Sequence, residues 1–334
     1  MHRSAVKMIV LALLTLPVSG AQAGAAASGH AARLGAFDLE AHRGGRALRP
    51  ENTLPSFANA LSMGVNTLEL DMGVTRDGVV IVSHERGLNP DLARRPDGQY
   101  IDAGIPYIKL TLPEVKSYDV GQIRPGTAYA ARFPEQLSIP GTRIPTLAEV
   151  FDLVRRSGDR HVRLNIETKI DPTHPQESLD PQGFVSAVLG VLRREHFTDR
   201  VMIESFDWRT LLLVQKQAPE IPTVYLTQQQ QPEENIYLDK GSPWTAGFDP
   251  VKYGGSVPRA VKAAGGMTIA QSEDTCVVYG MPKAAVDRGY AVRIVGLESI
   301  ASTLITQCAP EASGRGDAKS GNGIGGKAAS AGQN

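Results

Sequence analysis

Acidic side chains stand at positions where they could bind a metal ion. Glu69 and Asp71 lie two residues apart in an apolar run, so they share one face of a predicted strand. Two neighbouring carboxylates repel unless a positive group, either arginine or a divalent cation, lies between them. Glu167 ends a later apolar run and adds a third carboxylate. Since oxygen ligands suit hard cations, the three residues together predict a Ca²⁺ or Mg²⁺ site rather than a zinc site.

Two histidines end predicted strands in the same part of the sequence. His42 closes the first such segment and His84 closes the third. Histidine titrates near neutral pH, so one ring can accept a proton while the other donates one. Asp77-Gly78 between two apolar runs predicts a β-hairpin with these two residues at its tip. That register would place Asp71 directly opposite His84.

Arg43 and Lys169 are the candidate phosphate ligands. Lys169 follows Glu167 by two residues and shares its face of the strand. Arginine offers phosphate oxygens a planar pair of donors, and lysine offers a point charge. Three carboxylates with a divalent cation leave one negative charge, which the two basic residues turn into one net positive charge. Such a site suits one phosphodiester anion.

Eight short, β-branched segments are predicted to be the strands that carry these residues. Most of them alternate with helical segments, which predicts an α/β fold, a TIM (β/α)8 barrel with its active site at the carboxyl ends of the strands. The predicted strands are Phe37–His42, Val65–Met72, Val79–His84, Val162–Lys169, Arg200–Phe206, Thr223–Thr227, Met267–Ala270 and Tyr290–Leu297.

Two of the intervening segments have apolar residues at the helical period. These residues are Leu54, Phe57, Ala58 and Leu61 in the first segment and Leu147, Val150, Phe151 and Val154 in the second. Thr146 and Glu149 form a capping-box pair before the second helix. Asp180 and Asp207 are candidate N-caps of two later helices.

Two features interrupt the alternation. The link between the second and third predicted strands is too short for a parallel crossover, so these strands pair antiparallel or one of them leaves the barrel. Residues 85–145 are rich in Pro, Gly, Tyr and charge and show no strand–helix rhythm. Long segments of this kind are usually functional or disordered. They predict an inserted region after the third strand that covers the mouth of the barrel.

The two ends of the sequence do not resemble folded domains. Basic residues, a short apolar run and Ala21-Gln22-Ala23 predict a signal peptide over residues 1–23, whose apolar part is too short for a membrane anchor. Residues 311–334 are rich in Gly, Ser and Ala and predict a disordered tail. The barrel would occupy residues 24–310 of a periplasmic or secreted protein with no stable membrane anchor.

Charge and cysteine content restrict the partners and the compartment. The 35 basic and 35 acidic residues balance, and nothing predicts the basic face of a nucleic-acid-binding protein. The two cysteines, Cys276 and Cys308, would form a disulfide in an oxidising compartment if they lie close together. Sequence spacing does not fix their separation, so a pair of free thiols remains the alternative.

The ordered motifs resemble the glycerophosphodiester phosphodiesterase family from about Leu39 to about Asp207, and more weakly beyond. The motifs are His42-Arg43-Gly44, Pro50-Glu51-Asn52-Thr53, Glu69-Leu70-Asp71, Thr75-Arg76-Asp77-Gly78, His84, Glu167-Thr168-Lys169 and Ser205-Phe206-Asp207. The resemblance implies a barrel enzyme that hydrolyses glycerophosphodiesters, its small-molecule substrates, to glycerol 3-phosphate and an alcohol. The residues that it implies are an acid–base pair, His42 and His84; cation ligands, Glu69, Asp71 and Glu167; phosphate contacts, Arg43 and Lys169; a supporting Glu51 near Arg43; and a helix cap, Asn52 or Thr53.

Three positions depart from the family pattern. Glu85 follows His84 where Asp is commoner, and Glu204 precedes Ser205-Phe206 where an uncharged or amide residue is expected. The final predicted strand, Tyr290–Leu297, lacks a tryptophan that is often found there. None of these departures removes a metal ligand or an acid–base histidine. They affect the expected leaving-group pocket more than the expected reaction.

Two other functions remain open. Phospholipase D-like hydrolysis of lysophospholipids or sphingolipids would be favoured by an apolar groove in the inserted region, where Ile105, Tyr107, Ile108 and Leu110 lie. A non-catalytic periplasmic binding protein on the same barrel would have lost a metal ligand or a histidine. All five of those positions are intact.

Overall fold

The computed structural model of the protein describes residues 38–229, 234–276, 280–287, 291–300 and 303. The strands are β1 Glu40–Ala41, β2 Thr67–Val74, β3 Val80–Val82, β4 Gly87–Leu88, β5 Ile105–Pro106, β6 Arg163–Thr168, β7 Val201–Ser205, β8 Thr223–Tyr225, β9 Ile269–Gln271 and β10 Arg293–Val295. The helices are α1 Leu54–Met63, α2 Leu112–Ser117, α3 Ala128–Arg132, α4 Leu147–Ser157, α5 Pro181–Arg194, α6 Trp208–Gln217, α7 Val257–Ala263 and α8 Gly280–Asp287. The predicted signal peptide, the predicted tail and Cys308, the proposed partner of Cys276, lie outside the described residues.

One sheet carries most of the predicted site residues. Its parallel strands follow the order β1-β2-β6-β7-β8, and β3 adds to β2 in the antiparallel direction. The strands β9 and β10 form a separate parallel pair. Within the described ranges no ladder joins β8 to β9 or β10 to β1, so hydrogen bonds do not close the ring there. The predicted α/β alternation is confirmed, and every predicted strand segment overlaps an observed strand.

Side-chain alternation along β2 separates the core from the site. Leu68, Leu70 and Met72 are fully buried in the apolar core that the sheet shares with its helices. The intervening Glu69 and Asp71 therefore point to the opposite, inner face of the sheet. The same alternation in β6 buries Leu164 and Ile166 and turns the carboxylate at the end of that strand inward.

The predicted helices form, and their caps explain where they begin. Leu147, Val150, Phe151 and Val154 are all fully buried along α4, and Thr146 with Glu149 makes the predicted capping box. Asp180 and Asp207 cap α5 and α6 as predicted. Of the two candidate caps of α1, it is Thr53 that accepts a hydrogen bond from the Ser56 amide.

The predicted hairpin register is wrong by one residue. The strands β2 and β3 pair antiparallel, but Met72 faces Val82 and the Ser83 amide donates to the Asp71 carbonyl. The Thr75 amide closes the loop on the Val79 carbonyl, so three residues form the turn instead of two. Gly78 at its end has φ +78°, which is typical of three-residue hairpin loops. Asp71 therefore lies opposite Ser83 rather than His84.

The inserted region after β3 has a small apolar core of its own. Between residues 85 and 145 it contains the β4–β5 antiparallel pair and the helices α2 and α3. Its buried apolar residues form a second cluster with Ile81 of β3, separate from the main core. The buried members of this cluster are Ile81, Leu88, Ala93, Ile101, Tyr107, Val115 and Ile144.

Truncating this second core is expected to destabilise the protein. Ile101 is 1% exposed, and its replacement by alanine should lower the free energy of unfolding by about 2–5 kcal/mol through lost burial and a cavity. Leu137 lies in the same region at 57% exposure, so Leu137→Ala should cost less than about 0.5 kcal/mol. Urea titration of both variants measures the difference. Equal losses would show that the cluster does not contribute to stability.

Candidate active site

A cavity of about 820 Å³ opens at the carboxyl ends of the main strands. Six of the eight predicted site residues line it: His42, Arg43, Glu69, His84, Glu167 and Lys169. The other two, Glu51 and Asp71, are buried behind its wall. The inserted region contributes part of the wall with Glu85, Asn89, Tyr129 and Arg132.

Strand register puts three carboxylates in one row across the inner face. Asp71 of β2 is the neighbour of Glu167 of β6, which is in turn the neighbour of Glu204 of β7. One row deeper, Glu69 is the neighbour of Asn165. Parallel neighbours on adjacent strands share a face of the sheet. The fold therefore brings Glu167 and Glu204 together with Glu69 and Asp71, from which they are far apart in sequence.

Three of these carboxylates approach closely enough to share one cation. Glu69, Glu167 and Glu204 each offer an oxygen, and these oxygens lie within 4.8 Å of one another. All three side chains are buried. Like charges at such distances are costly in a buried site unless a cation or protons neutralise them. The donor set is entirely oxygen, so the residues present fit a hard divalent cation.

Asp71 has positive neighbours instead. Its Oδ1 lies 3.2 Å from the Lys169 Nζ, and its Oδ2 accepts a 2.8 Å hydrogen bond from Asn52. The Arg43 Nε is 3.6 Å from the same Oδ2. Burial by itself would raise the pKa of Asp71, but Lys169, His84 and Arg43 outweigh it and hold the pKa at about 2. Asp71 is therefore ionised throughout the neutral range.

Burial has the opposite outcome for the other three acids. It raises the pKa of Glu167 to about 7, although Lys169 opposes the shift. Burial also raises the pKa of Glu204 to about 7, against a hydrogen bond from Asn165. The pKa of Glu69 is raised well above its ordinary value by burial and by the nearby Asp71 charge. A bound cation would reverse these shifts, because a positive charge favours the ionised carboxylates.

These shifts predict how the cation-free protein responds to pH. Because Glu69, Glu167 and Glu204 hold protons in the folded state that the unfolded chain releases above about pH 4.3, stability should fall as pH rises from 5 to 8. One such group is worth about 3 kcal/mol. His42, whose pKa burial lowers to about 4, works in the other direction but is outnumbered. Thermal unfolding in chelator should therefore give a lower Tm at pH 8 than at pH 5, and saturating Ca²⁺ should narrow the gap. A Tm that rises from pH 5 to pH 8 would contradict the raised pKa values of these three glutamates.

Arg43 is fixed by an unusual backbone and by buried acids. Its φ of +53° lies in the left-handed region, and its amide donates a 2.6 Å hydrogen bond to the Glu69 Oε2. Its Nη1 donates to the Glu51 Oε1 at 3.1 Å. Gly44 follows at φ +74°, and a Cβ there would lie 2.4 Å from the Ser56 Oγ. Helix α1 therefore leaves room only for glycine beside the arginine.

Lys169 contacts two members of the carboxylate row and lines the cavity. Its Nζ lies 2.8 Å from the Glu167 Oε1 and 3.2 Å from the Asp71 Oδ1. Burial lowers its pKa, but the two carboxylates outweigh that effect, so the net shift is upward and the ammonium stays charged. A fixed positive charge at the cavity wall attracts a phosphate anion.

The two histidines differ in their surroundings. Burial, assisted by the cations Arg46 and Arg43, lowers the pKa of His42 to about 4. The His84 Nδ1 lies 2.9 Å from the Glu85 Oε1, which can fix the orientation of the ring. His42 is therefore neutral at neutral pH, whereas His84 has a carboxylate partner.

Three residues contribute to the site in ways that the sequence analysis did not predict. Glu85 holds His84, Asn52 hydrogen-bonds Asp71, and Glu204 joins the carboxylate group. The sequence offered a signal for Glu204, because it lies near the carboxyl end of a predicted strand in the same way as Glu167. The side-chain contact of Asn52 depends on a backbone φ of +55°, which the sequence pattern does not show.

Known proteins resemble this chain over most of the described fold. Residues 42–288 match the model of the Glycerophosphoryl diester phosphodiesterase family. A Glycerophosphodiester phosphodiesterase of Caldanaerobacter subterraneus subsp. tengcongensis is 33% identical over 181 residues, which is 54% of this chain and 63% of that protein. One from Bacillus subtilis is 31% identical over 196 residues, 57% of this chain and 59% of that protein. The chain thus spans about three fifths of the length of these curated relatives.

A solved structure extends the likeness to the fold. The crystal structure of a putative glycerophosphoryl diester phosphodiesterase from Silicibacter pomeroyi DSS-3 superposes with a TM-score of 0.61 at 34% identity, covering 76% of this chain and 80% of that one. Within the described residues of the present chain, no helix is both long and apolar enough to cross a membrane.

Proposed function

The chain belongs to the glycerophosphoryl diester phosphodiesterase family, a family of TIM-barrel hydrolases, and we propose that it hydrolyses glycerophosphodiesters to glycerol 3-phosphate and an alcohol. The observation that carries the proposal is one cavity lined by two histidines, by cationic side chains that include Arg43 and Lys169, and by a buried carboxylate group. A phosphodiester needs each of these: cations for its charge, and proton donors and acceptors for the oxygens that attack and leave.

Glu69, Asp71 and Glu167 are proposed to hold a divalent cation, Ca²⁺ or Mg²⁺. Such an ion would polarise the phosphoryl group and favour ionisation of the attacking oxygen. Asp71 is an anion at every pH of interest, and its row neighbour Glu167 lines the cavity. All-oxygen coordination by carboxylates is what both candidate ions prefer.

Arg43 and Lys169 are proposed to bind the phosphate oxygens. Both are held in place by buried acids, so little side-chain entropy is lost when a phosphate binds. The Nε of Arg43 faces the Asp71 Oδ2 at 3.6 Å, which helps to hold the guanidinium at the cavity wall.

His42 and His84 are proposed to transfer the protons. The neutral His42 ring can accept the proton of the attacking oxygen, and the Glu85-bound His84 ring can donate one to the departing alkoxide. A second cavity of about 530 Å³, lined by Asp171, Tyr237 and Trp244, shares the His84 and Lys169 wall with the first. It offers room for the alcohol beside the proposed acid.

Hydrolysis of lipid substrates is less well supported. Ile105, Tyr107 and Leu110 pack into the second core of the inserted region, so they do not form an apolar groove at the cavity. Export to the periplasm or medium remains our proposal from the predicted signal peptide over residues 1–23.

The proposal is tested by a coupled assay for glycerol 3-phosphate. The mature protein is incubated with glycerophosphodiesters that differ in head group, with added Ca²⁺ or Mg²⁺ and with chelator. We expect release that the cation supports and the chelator abolishes. Absence of glycerol 3-phosphate from every diester at saturating cation would overturn the proposed reaction, and turnover unchanged by chelator would overturn the metal requirement.

A further inference from the structure

We propose that Glu204 is a direct ligand of the same divalent cation, beside Glu69 and Glu167. This inference rests on the metal site of the proposed function and extends it by one residue. Glu204 follows Met202 on the inner face of β7 and is the register neighbour of Glu167. Its carboxylate lies with those of Glu69 and Glu167 inside a 4.8 Å group. Oxygens that coordinate one Ca²⁺ at about 2.3–2.6 Å can be no farther apart than about 5 Å.

The polar contacts of Glu69, Glu167 and Glu204 each involve only one oxygen of the carboxylate. Glu69 accepts a hydrogen bond at Oε2, Glu167 contacts Lys169 at Oε1, and Glu204 accepts from Asn165 at Oε2. The second oxygen of each of the three accepts no hydrogen bond from a described residue. Asp71 differs, because both of its oxygens have donors. The three carboxylates converge, and each keeps an oxygen without a hydrogen-bond donor, so a shared cation can bind among them.

A neutral side chain in the same wall points to a ligand independently. Asn165 is 6% exposed, lines the same cavity, and donates through Nδ2 to Glu204 at 2.7 Å and to Glu40 at 2.9 Å. Its Oδ1 is buried and has no partner among the described residues. Buried carbonyl oxygens are almost always paired, and an ion or a water molecule is a usual partner where no protein donor is present. An oxygen donor beside the carboxylate group is consistent with a cation or its hydration water there.

The charges give Glu204 a distinct effect on substrate. Four carboxylates, with Arg43 and Lys169, leave two negative charges, which one divalent cation neutralises. Without Glu204 the same site would carry one net positive charge. Glu204 should therefore strengthen cation binding and weaken attraction of the phosphodiester anion. A carboxylate that only accepted a hydrogen bond from Asn165, as Glu40 does, would have both effects to a smaller extent.

The matched variants are Glu204→Gln and Glu40→Gln. Both are isosteric, both remove one carboxylate charge, and both keep an oxygen to accept from Asn165. Glu40 lies outside the 4.8 Å group, so its variant reports the effect of charge at a distance. Titration calorimetry of the full mature protein with Ca²⁺, and separately with Mg²⁺, measures affinity and stoichiometry.

Glu204→Gln should weaken cation binding by at least about 10-fold, whereas Glu40→Gln should weaken it by less than about 3-fold. At saturating cation, Glu204→Gln should also lower KM for the diester. Equal affinities in the two variants would overturn the assignment of Glu204 while leaving the metal site intact. A wild-type protein that binds neither ion would overturn the site itself.

Folding is checked separately from binding. Because it removes a buried carboxylate, Glu204→Gln should have a Tm in chelator no lower than that of the wild type. If that Tm falls, Glu204→Asp provides the second test, since it keeps the charge on a shorter side chain. It should bind the cation more tightly than Glu204→Gln, and equal affinity would contradict direct coordination.

Discussion

His84→Ala is expected to lower kcat by about 10²–10⁴ for an alkyl glycerophosphodiester, with cation affinity nearly unchanged. The His84 ring is held by Glu85 beside the cavity and is proposed to protonate the departing alkoxide. A leaving group that needs no proton should therefore bypass the loss. With a nitrophenyl ester, turnover of His84→Ala should approach that of the wild type.

His42→Ala should be slow on both kinds of substrate, because the attacking oxygen must lose its proton whichever group leaves. His161→Ala is the matched control, since this histidine is exposed just before the start of β6. Its turnover should be close to that of the wild type. If nitrophenyl substrates rescue His42→Ala instead, the two roles are exchanged. Near-normal turnover of both variants with cation bound would exclude the two-histidine mechanism.

Asp71→Asn is expected to weaken cation binding by at least about 10-fold and to recover part of its rate at excess Ca²⁺ or Mg²⁺. Asp71 is 1% exposed and is the only one of the four site carboxylates whose pKa is held low, at about 2. Its loss also leaves Lys169 and Arg43 with fewer buried partners, which should cost the cation-free protein about 3–5 kcal/mol of stability.

Asp119→Asn is the control that separates loss of stability from loss of cation binding. Asp119 pairs with Arg94 in the inserted region, so its loss should reduce stability and leave cation affinity unchanged. Calorimetry and urea unfolding of both variants give the comparison. If Asp71→Asn binds the cation as tightly as the wild type but has a raised KM, Asp71 serves only to position Lys169 and Arg43.

Local rules predicted the elements of this fold well. The period of Leu147, Val150, Phe151 and Val154 and the Thr146 cap depend on neighbours in the sequence, and the structure contains both. The position of Glu69 and Asp71 on the inner face followed from simple alternation along one strand. Such features need no knowledge of distant residues.

Features that depend on distant partners were harder to predict. The hairpin register depended on the length of its loop. Thr75 pairs with Val79, so the loop has three residues and Asp77-Gly78 does not lie at its centre. The convergence of Glu204 with Glu69 and Glu167 depends on the β2-β6-β7 register, which no local pattern encodes. The resemblance to the family supplied Glu69, Asp71 and Glu167 as ligands, but it offered no role for the unusual glutamate at 204.

Phosphorus-31 NMR of a glycerophosphodiester incubated with the protein and Ca²⁺ tests the central claim most directly. The diester signal should be replaced by that of glycerol 3-phosphate alone, and the conversion should stop when chelator is added. Appearance of the phosphate on the other alcohol, or a diester signal unchanged at saturating cation, would contradict the proposed reaction.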